Sequence, residues 1–226
     1  MKRNLSTSIS LLLLTMFAMV TTNAAKERHF VPANVRTAGK IPYPPSSVDA
    51  GFVTLSINLD EAGQLTSVNV LRDLPSMSAL AIAAVRSWTY SAAMLDGKPV
   101  ASTFTINILF DPGFLGADNI PLQPPSQDYP VPKKNPAYFP AQLNTATFAP
   151  YPANTNAHGA VVLNLTIGTK GNIARVVTLN DVPPLTASAI GALKNWSFSA
   201  ASYEGTAIES QIVVAVVFRN PSAGIP

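Results

Sequence analysis

The chain carries one module twice. Gly51-Phe-Val-Thr-Leu55, Gly63, Asp73-Leu-Pro75, Trp88-Thr-Tyr-Ser-Ala-Ala93, Gly97 and Phe110 recur as Gly159-Ala-Val-Val-Leu163, Gly171, Asp181-Val-Pro183, Trp196-Ser-Phe-Ser-Ala-Ala201, Gly205 and Phe218. Every pair is 108 positions apart and no gap is needed between them. That period is too long for a solenoid repeat, so the repeated unit is a complete small domain. Each copy spans roughly 70 residues, near the lower size at which one hydrophobic core sustains a fold.

The apolar fraction of 47% and the charged fraction of 12% describe a core-rich folded chain. The formal net charge of +3 owes two of its cations to Lys2 and Arg3, which precede an apolar run from Leu11 to Val20 and a small-residue site at Thr22-Asn23-Ala24. Residues 1–25 therefore read as an export signal. Its apolar core of about ten residues falls short of the ~20 that span a bilayer. Beyond it 13 basic residues face 12 acidic ones, with no cluster larger than Lys133-Lys134, which excludes a basic nucleic-acid surface. There is no cysteine, hence no disulfide, thiol nucleophile or cysteine metal site.

Composition divides the remainder. Residues 26–42 are polar and read as an irregular lead-in, and residues 43–112 as the first domain. Residues 113–150 read as a linker, because nine prolines fall between 111 and 150 and deny the stretch a helix or a central strand. Residues 151–220 form the second domain and 221–226 a tail.

Within each copy the periodicity predicts strand, turn, strand, helix, strand. Residues 52–59 alternate with period two and are rich in β-branched side chains. Asp60-Glu-Ala-Gly63 is a turn, and residues 65–71 return. Met77, Leu80, Ala84, Val85 and Trp88 share one helical face, as do Leu185, Ala189, Ala192, Leu193 and Trp196 in the second copy. Ser76 or Ser78, and Thr186, are the candidate N-caps. Asp96-Gly97 and Glu204-Gly205 turn the chain into the final strands, 103–110 and 211–218. The predicted class is α+β, with two β-β-α-β domains, each a small antiparallel sheet packed on one helix in two layers.

These residues resemble the C-terminal domain of the TonB energy-transducer family. The pattern is Tyr-Pro, Gly-x-Val, a turn closed by Gly, a helix ending in Trp-x-aromatic, and a last strand ending in Phe. Copy one supplies Tyr43-Pro44, Gly51-Phe-Val53, Asp60-Glu-Ala-Gly63, Trp88-Thr-Tyr90, Gly97-Lys-Pro-Val100 and Phe110. Copy two supplies Tyr151-Pro152, Gly159-Ala-Val161, Gly171, Trp196-Ser-Phe198, Gly205 and Phe218, but has Gly168 at the turn acid and Thr206-Ala-Ile208 for Lys-Pro-Val. The resemblance implies a periplasmic, non-enzymatic protein that binds envelope partners by strand addition of a peptide from an outer-membrane receptor beside the final strand. It places candidate contacts at Thr103, Phe104, Thr105, Ile106, Asn107 and Ile108, and at the entry pairs Tyr43, Pro44, Tyr151 and Pro152.

Three alternatives stay open. An uncleaved N-terminal segment would make the chain an inner-membrane-anchored transducer. The two copies could instead pair their own final strands, giving a structural pseudo-dimer with one continuous sheet. The Tyr-Pro pairs could brace the sheet rather than touch a partner. No catalytic, cofactor or metal site is expected: the only histidines are His29, in the irregular lead-in, and His158, with no acidic or second histidine neighbour in sequence, and Asp60-Glu61 sits in a solvated turn.

Overall fold

A computed structural model describes residues 29–44, 46–113, 121–122, 137–153 and 155–219. The expected signal, residues 1–25, and the tail, 221–226, lie outside the described residues. Copy one runs β1 (Phe30–Val31), β2 (Asn34–Thr37), β3 (Gly51–Leu59), β4 (Leu65–Arg72), α1 (Ser78–Arg86), β5 (Thr89–Ser91), β6 (Ala93–Leu95), β7 (Lys98–Val100) and β8 (Ser102–Asp111). After β9 (Pro121–Leu122), copy two repeats the series: β10 (Tyr138–Phe139), β11 (Gln142–Thr147), β12 (Gly159–Ile167), β13 (Ile173–Asn180), α2 (Leu185–Ala192), β14 (Ser197–Ser199), β15 (Ala201–Tyr203), β16 (Thr206–Ile208) and β17 (Ser210–Phe218). The class is α+β, and strand-strand-helix-strand is embedded in each copy among shorter strands.

The repeat is longer than its sequence motifs. Residues 26–42, expected as an irregular lead-in, contain β1 and β2, which pair with β6 and β5. The latter part of the expected linker, 113–150, contains β10 and β11, which pair with β15 and β14 in the same way. Polarity hid these strands. In β2 only Val35 is buried, with Ala33 and Ile41 beside it in the chain, and in the counterpart Tyr138, Ala141, Leu143 and Ala146 are buried. So few apolar positions give no periodic signal.

One six-stranded sheet, in the order β13-β12-β17-β8-β3-β4, joins the copies. The final strands β8 and β17 lie side by side and parallel, with Ile106 opposite Val213 and Phe110 opposite Val217. Two like-folded copies arranged in mirrored strand order with a common strand direction must have opposite faces up. The helix of one copy therefore lies on the face opposite the helix of the other. Phe30 and Tyr138, equivalent positions of the repeat, meet with ring centroids 4.6 Å apart, which places the pseudo-twofold axis between them.

Each copy covers the face that the other's helix leaves open. Trp196, following α2, meets the Phe52 ring edge-on at 5.7 Å. Thr105 donates to the Ala141 carbonyl at 3.1 Å, and Asn164 Nδ2 donates to Asn34 Oδ1 at 2.8 Å. As a result β8 is buried along its whole length and β17 at all positions but Gln211. The core is one continuous cluster spanning both copies.

Local chemistry explains the turns. Asp60 Oδ1 accepts the N–H groups of Ala62 (2.9 Å) and Gln64 (2.8 Å), and Gly63 closes the turn at φ +76°. A Cβ on Gly63 would lie 2.8 Å from the Ala92 nitrogen, and one on Gly171 would run into the Phe198 carbonyl oxygen. Both glycines are thus required by position as well as by φ. The predicted caps are corrected. Met77 and Pro184 occupy the N-cap positions without side-chain bonds. Ser78 and Thr186 sit inside the helices and reach back to accept the N–H of Leu74 (3.0 Å) and Val182 (2.9 Å), while donating to Asp73 and Asp181. On α1, Ala81 takes the fully buried place expected for Leu80, which is half-buried.

Candidate functional site

The predicted peptide edge is the middle of the sheet. Thr103, Phe104, Thr105, Ile106, Asn107 and Ile108 are all buried, and β8 is bonded to β3 on one side and to β17 on the other. The expectation that this strand offers an open edge is corrected, because its unpaired backbone groups are taken up by the other copy. The same holds for β17, between β8 and β12. The sheet's outer strands are β4 and β13, eight residues each, and they present Val70 and Val177 to solvent.

The Tyr-Pro pairs are braces. Tyr43 donates its hydroxyl to the Asp49 carbonyl at 2.5 Å, and its ring meets Phe110 edge-on at 5.7 Å. Tyr151 donates to the Ala157 carbonyl at 2.7 Å and packs on Phe218 at 6.2 Å. Each tyrosine thus clamps the loop entering β3 or β12 onto the last aromatic residue of the final strand. Pro44 contributes a carbonyl that accepts the Ser47 N–H (3.1 Å), and Pro152 is half-buried beside Tyr151. Burial pushes the Tyr43 hydroxyl above its ordinary pKa; the carboxylates of Asp111 and Asp49 add to the rise, and Arg219 opposes it. Tyr43 therefore remains a hydrogen-bond donor at neutral pH.

Tyr43 also borders a cavity of about 420 Å³ where the copies meet. Copy one contributes Lys40 to Tyr43; copy two contributes His158 to Ala160, Asn180, Val182, Phe218 and Arg219. Lys40 and His158 are exposed at the rim, and Arg219 is buried. The Arg219 N–H donates to the Asp111 carbonyl at 3.0 Å, and the Asp111 carboxylate accepts the N–H groups of Gly113 (2.9 Å) and Ala149 (3.2 Å). Asp111 and Arg219 are themselves repeat equivalents, so one buried position carries an acid in one copy and a base in the other. Asn180 is held by donation to the Ala160 carbonyl at 2.6 Å.

The residues of this cavity were missed in the motif reading, apart from Tyr43 and the neighbouring His158. The signal that finds them is difference, not likeness: Lys40 against Phe148, Phe52 against Ala160, Arg72 against Asn180 and Asp111 against Arg219 are unlike pairs at the same 108-residue offset. Among the described residues no three potential metal ligands come together. His29 is engaged through its backbone with Asp96, and His158 Nδ1 lies 3.2 Å from the Asn156 carbonyl.

The family model for the Gram-negative bacterial TonB protein C-terminal region matches residues 40–112 and again 147–219. The chain belongs to this family. The first match begins after β2 and the second at the last residue of β11, so the short strands before them are an N-terminal extension of each module, paired within its own copy and touching the other. No curated protein and no solved structure matches the chain. Membership makes it a TonB-like envelope protein that works through protein interaction. Among the described residues no helix is long and apolar enough to cross a membrane.

Proposed function

We propose that the protein is an exported, non-enzymatic periplasmic module. Its two TonB C-terminal-like copies act as one self-paired body that receives an extended segment of an envelope protein at an outer sheet edge. The observation that carries this reading is the parallel pairing of β8 with β17. It consumes both final strands and leaves β4 and β13 as the outer strands of the six-stranded sheet among the described residues. An open edge takes an extended peptide through backbone hydrogen bonds, and alternate side-chain contacts set preference. The exposed Val70 and Val177 supply such contacts on the two edges.

The reading is tested by hydrogen exchange on the full chain, with and without peptides from the periplasmic plugs of outer-membrane receptors. New protection within 65–72 or 173–180 supports edge addition. Binding without protection in either segment defeats it. N-terminal sequencing of protein from native membranes tests export: a chain starting near Ala25 supports a free periplasmic protein, and one starting at Met1 supports the anchored transducer.

A further inference from the structure

The pseudo-twofold axis gives the cavity beside Tyr43 an equivalent place in the other copy, where the sequence carries larger side chains. At the equivalent place Phe52 stands for Ala160, its ring flanked edge-on by Trp196 at 5.7 Å and with Arg72 lying 5.9 Å over its face. Phe148, buried, stands where copy one has Lys40. Replacing Phe52 by Ala160, Arg72 by Asn180 and Phe148 by Lys40 removes two aromatic rings and sets an ammonium group at the rim. The cavity thus lies where the other copy carries two buried aromatic side chains, Phe52 and Phe148. Its volume of about 420 Å³ lies in the range of small-molecule sites.

The charge of the lining selects the ligand. Lys40 is the exposed cation at the rim, Arg219 is buried behind it with the Asp111 carboxylate also acting on Tyr43, and the walls include Ile41, Val182 and Phe218. We infer that this cavity binds an aryl carboxylate: the ring takes the place that Phe52 fills in the other copy, and the carboxylate lies toward Lys40 at the rim. The same chemistry is presented by a free aromatic acid and by a peptide chain ending in phenylalanine. The inference does not depend on edge addition at β4 or β13, and its test reads a different part of the molecule.

The test is calorimetric titration of the full chain with 3-phenylpropanoate and with its uncharged amide. The acid should bind and the amide should bind at least about tenfold more weakly, since the charge-assisted contact is lost. Ala160→Phe refills the cavity and should abolish binding. Lys40→Phe, at an exposed position, copies Phe148 and should weaken the acid at least about tenfold while leaving the thermal unfolding midpoint in place. N-acetyl-alanyl-phenylalanine separates the sources: tighter binding than 3-phenylpropanoate assigns the site to a chain terminus, and weaker binding assigns it to a free acid, with the carboxylate chemistry supported either way. Equal binding of acid and amide, retention of binding in Lys40→Phe, or no heat of binding at millimolar ligand overturns the inference.

Discussion

The two halves of the central sheet share a backbone and differ in what they bury. On the face of copy one that copy two covers, Thr54, Ser56 and Asn58 stand opposite Asn107, Thr105 and Thr103. They form a buried polar layer: Thr54 donates to Asn107 Oδ1 at 3.0 Å, Thr103 to Asn58 Oδ1 at 2.6 Å, and Asn58 Nδ2 to Ser67 at 2.9 Å. The same positions in copy two are Val162, Asn164 and Thr166 opposite Ala215, Val213 and Gln211. Apolar pairs hold together by burial alone, whereas a buried polar layer costs stability wherever a group is left unpaired, as Asn107 Nδ2 is here. Copy one thus bonds its layer strand to strand, whereas copy two has the apolar pair Val162 and Ala215 where copy one has Thr54 and Asn107, and its Asn164 donates across the copies to Asn34. A shared fold with divergent layers means the copies are no longer interchangeable, so the pseudo-dimer is specified as one copy against the other.

The largest effect should come from separating them. Each half alone would expose the inner edge of its final strand and the face covered by its neighbour, an invitation to pair with another chain. Either half expressed alone should dimerise or aggregate. The second half should do so more strongly, because β17 from Ile212 to Phe218 is uninterrupted in apolar residues while β8 carries Thr103, Thr105 and Asn107. Sedimentation of the two halves reads this ranking, and a stable monomer of either would break the picture of mutual covering.

Next in size is the pair Phe52 and Ala160. Phe52→Ala deletes a buried ring that contacts Trp196 across the copies and should cost roughly 3–5 kcal/mol in urea unfolding. The reciprocal Ala160→Phe enters an open cavity and should cost less than about 1 kcal/mol, unlike ordinary overpacking. Equal penalties would mean that the two sites are packed alike, and that the asymmetry in the sequence has no counterpart in space.

The polar layer gives a smaller and more discriminating test. Asn107→Ala alone leaves the buried Thr54 hydroxyl without its acceptor and should cost about 1–3 kcal/mol. Thr54→Val with Asn107→Ala, which copies Val162 and Ala215, should recover most of that loss. The converse Ala215→Asn places an amide opposite Val162 and should cost about 1–3 kcal/mol with no simple rescue. Chemical denaturation of the wild type, the single variants Thr54→Val and Asn107→Ala, and the double yields the coupling. If the double variant is no better than the single, the layer is held by something other than the Thr54–Asn107 bond.

These contrasts also mark what was legible in the sequence. The long strands, both helices and the turn glycines could be read because their signals are periodic or conformational: Leu55, Ile57 and Leu59 alternate, and Gly63 must take positive φ. The short strands β1, β2, β10 and β11 could not, since a two- to six-residue strand with one or two buried side chains, such as Val35 in β2, carries no period. Final-strand pairing was left open as one of several fates for an unpaired edge. Nothing in β8 or β17 states which strand lies beside it, because a parallel partner is chosen by three-dimensional fit. The entry tyrosines were placed correctly in the chain, yet only coordinates distinguish a brace from a contact. The cavity was written in the sequence all along, in positions where the copies disagree, while the motif reading attends to positions where they agree.

The smallest expected effect concerns those tyrosines. Tyr43→Phe removes the bond to the Asp49 carbonyl, and Tyr151→Phe the bond to the Ala157 carbonyl, each worth about 1 kcal/mol. Near neutral pH the two variants should therefore be alike. They should part in alkali. The Tyr43 pKa is raised in the folded protein chiefly by burial, so the folded state keeps its proton where the unfolded chain, titrating near 10, releases it. The contribution of this group is fully present below about pH 10 and is lost as pH rises toward the folded value. Tyr90 and Tyr138, also raised by burial, act in the same sense, so the native protein should lose stability steeply above pH 10. Tyr43→Phe should lessen that slope. Tyr151 is raised too but lies in a more solvated setting, so Tyr151→Phe should change the slope less. Urea midpoints measured between pH 8 and about 11.5 separate the two outcomes. Identical slopes in both variants would show that Tyr43 is as accessible to solvent as its counterpart, and that the cavity beside it opens more widely than the packing against Phe110 implies.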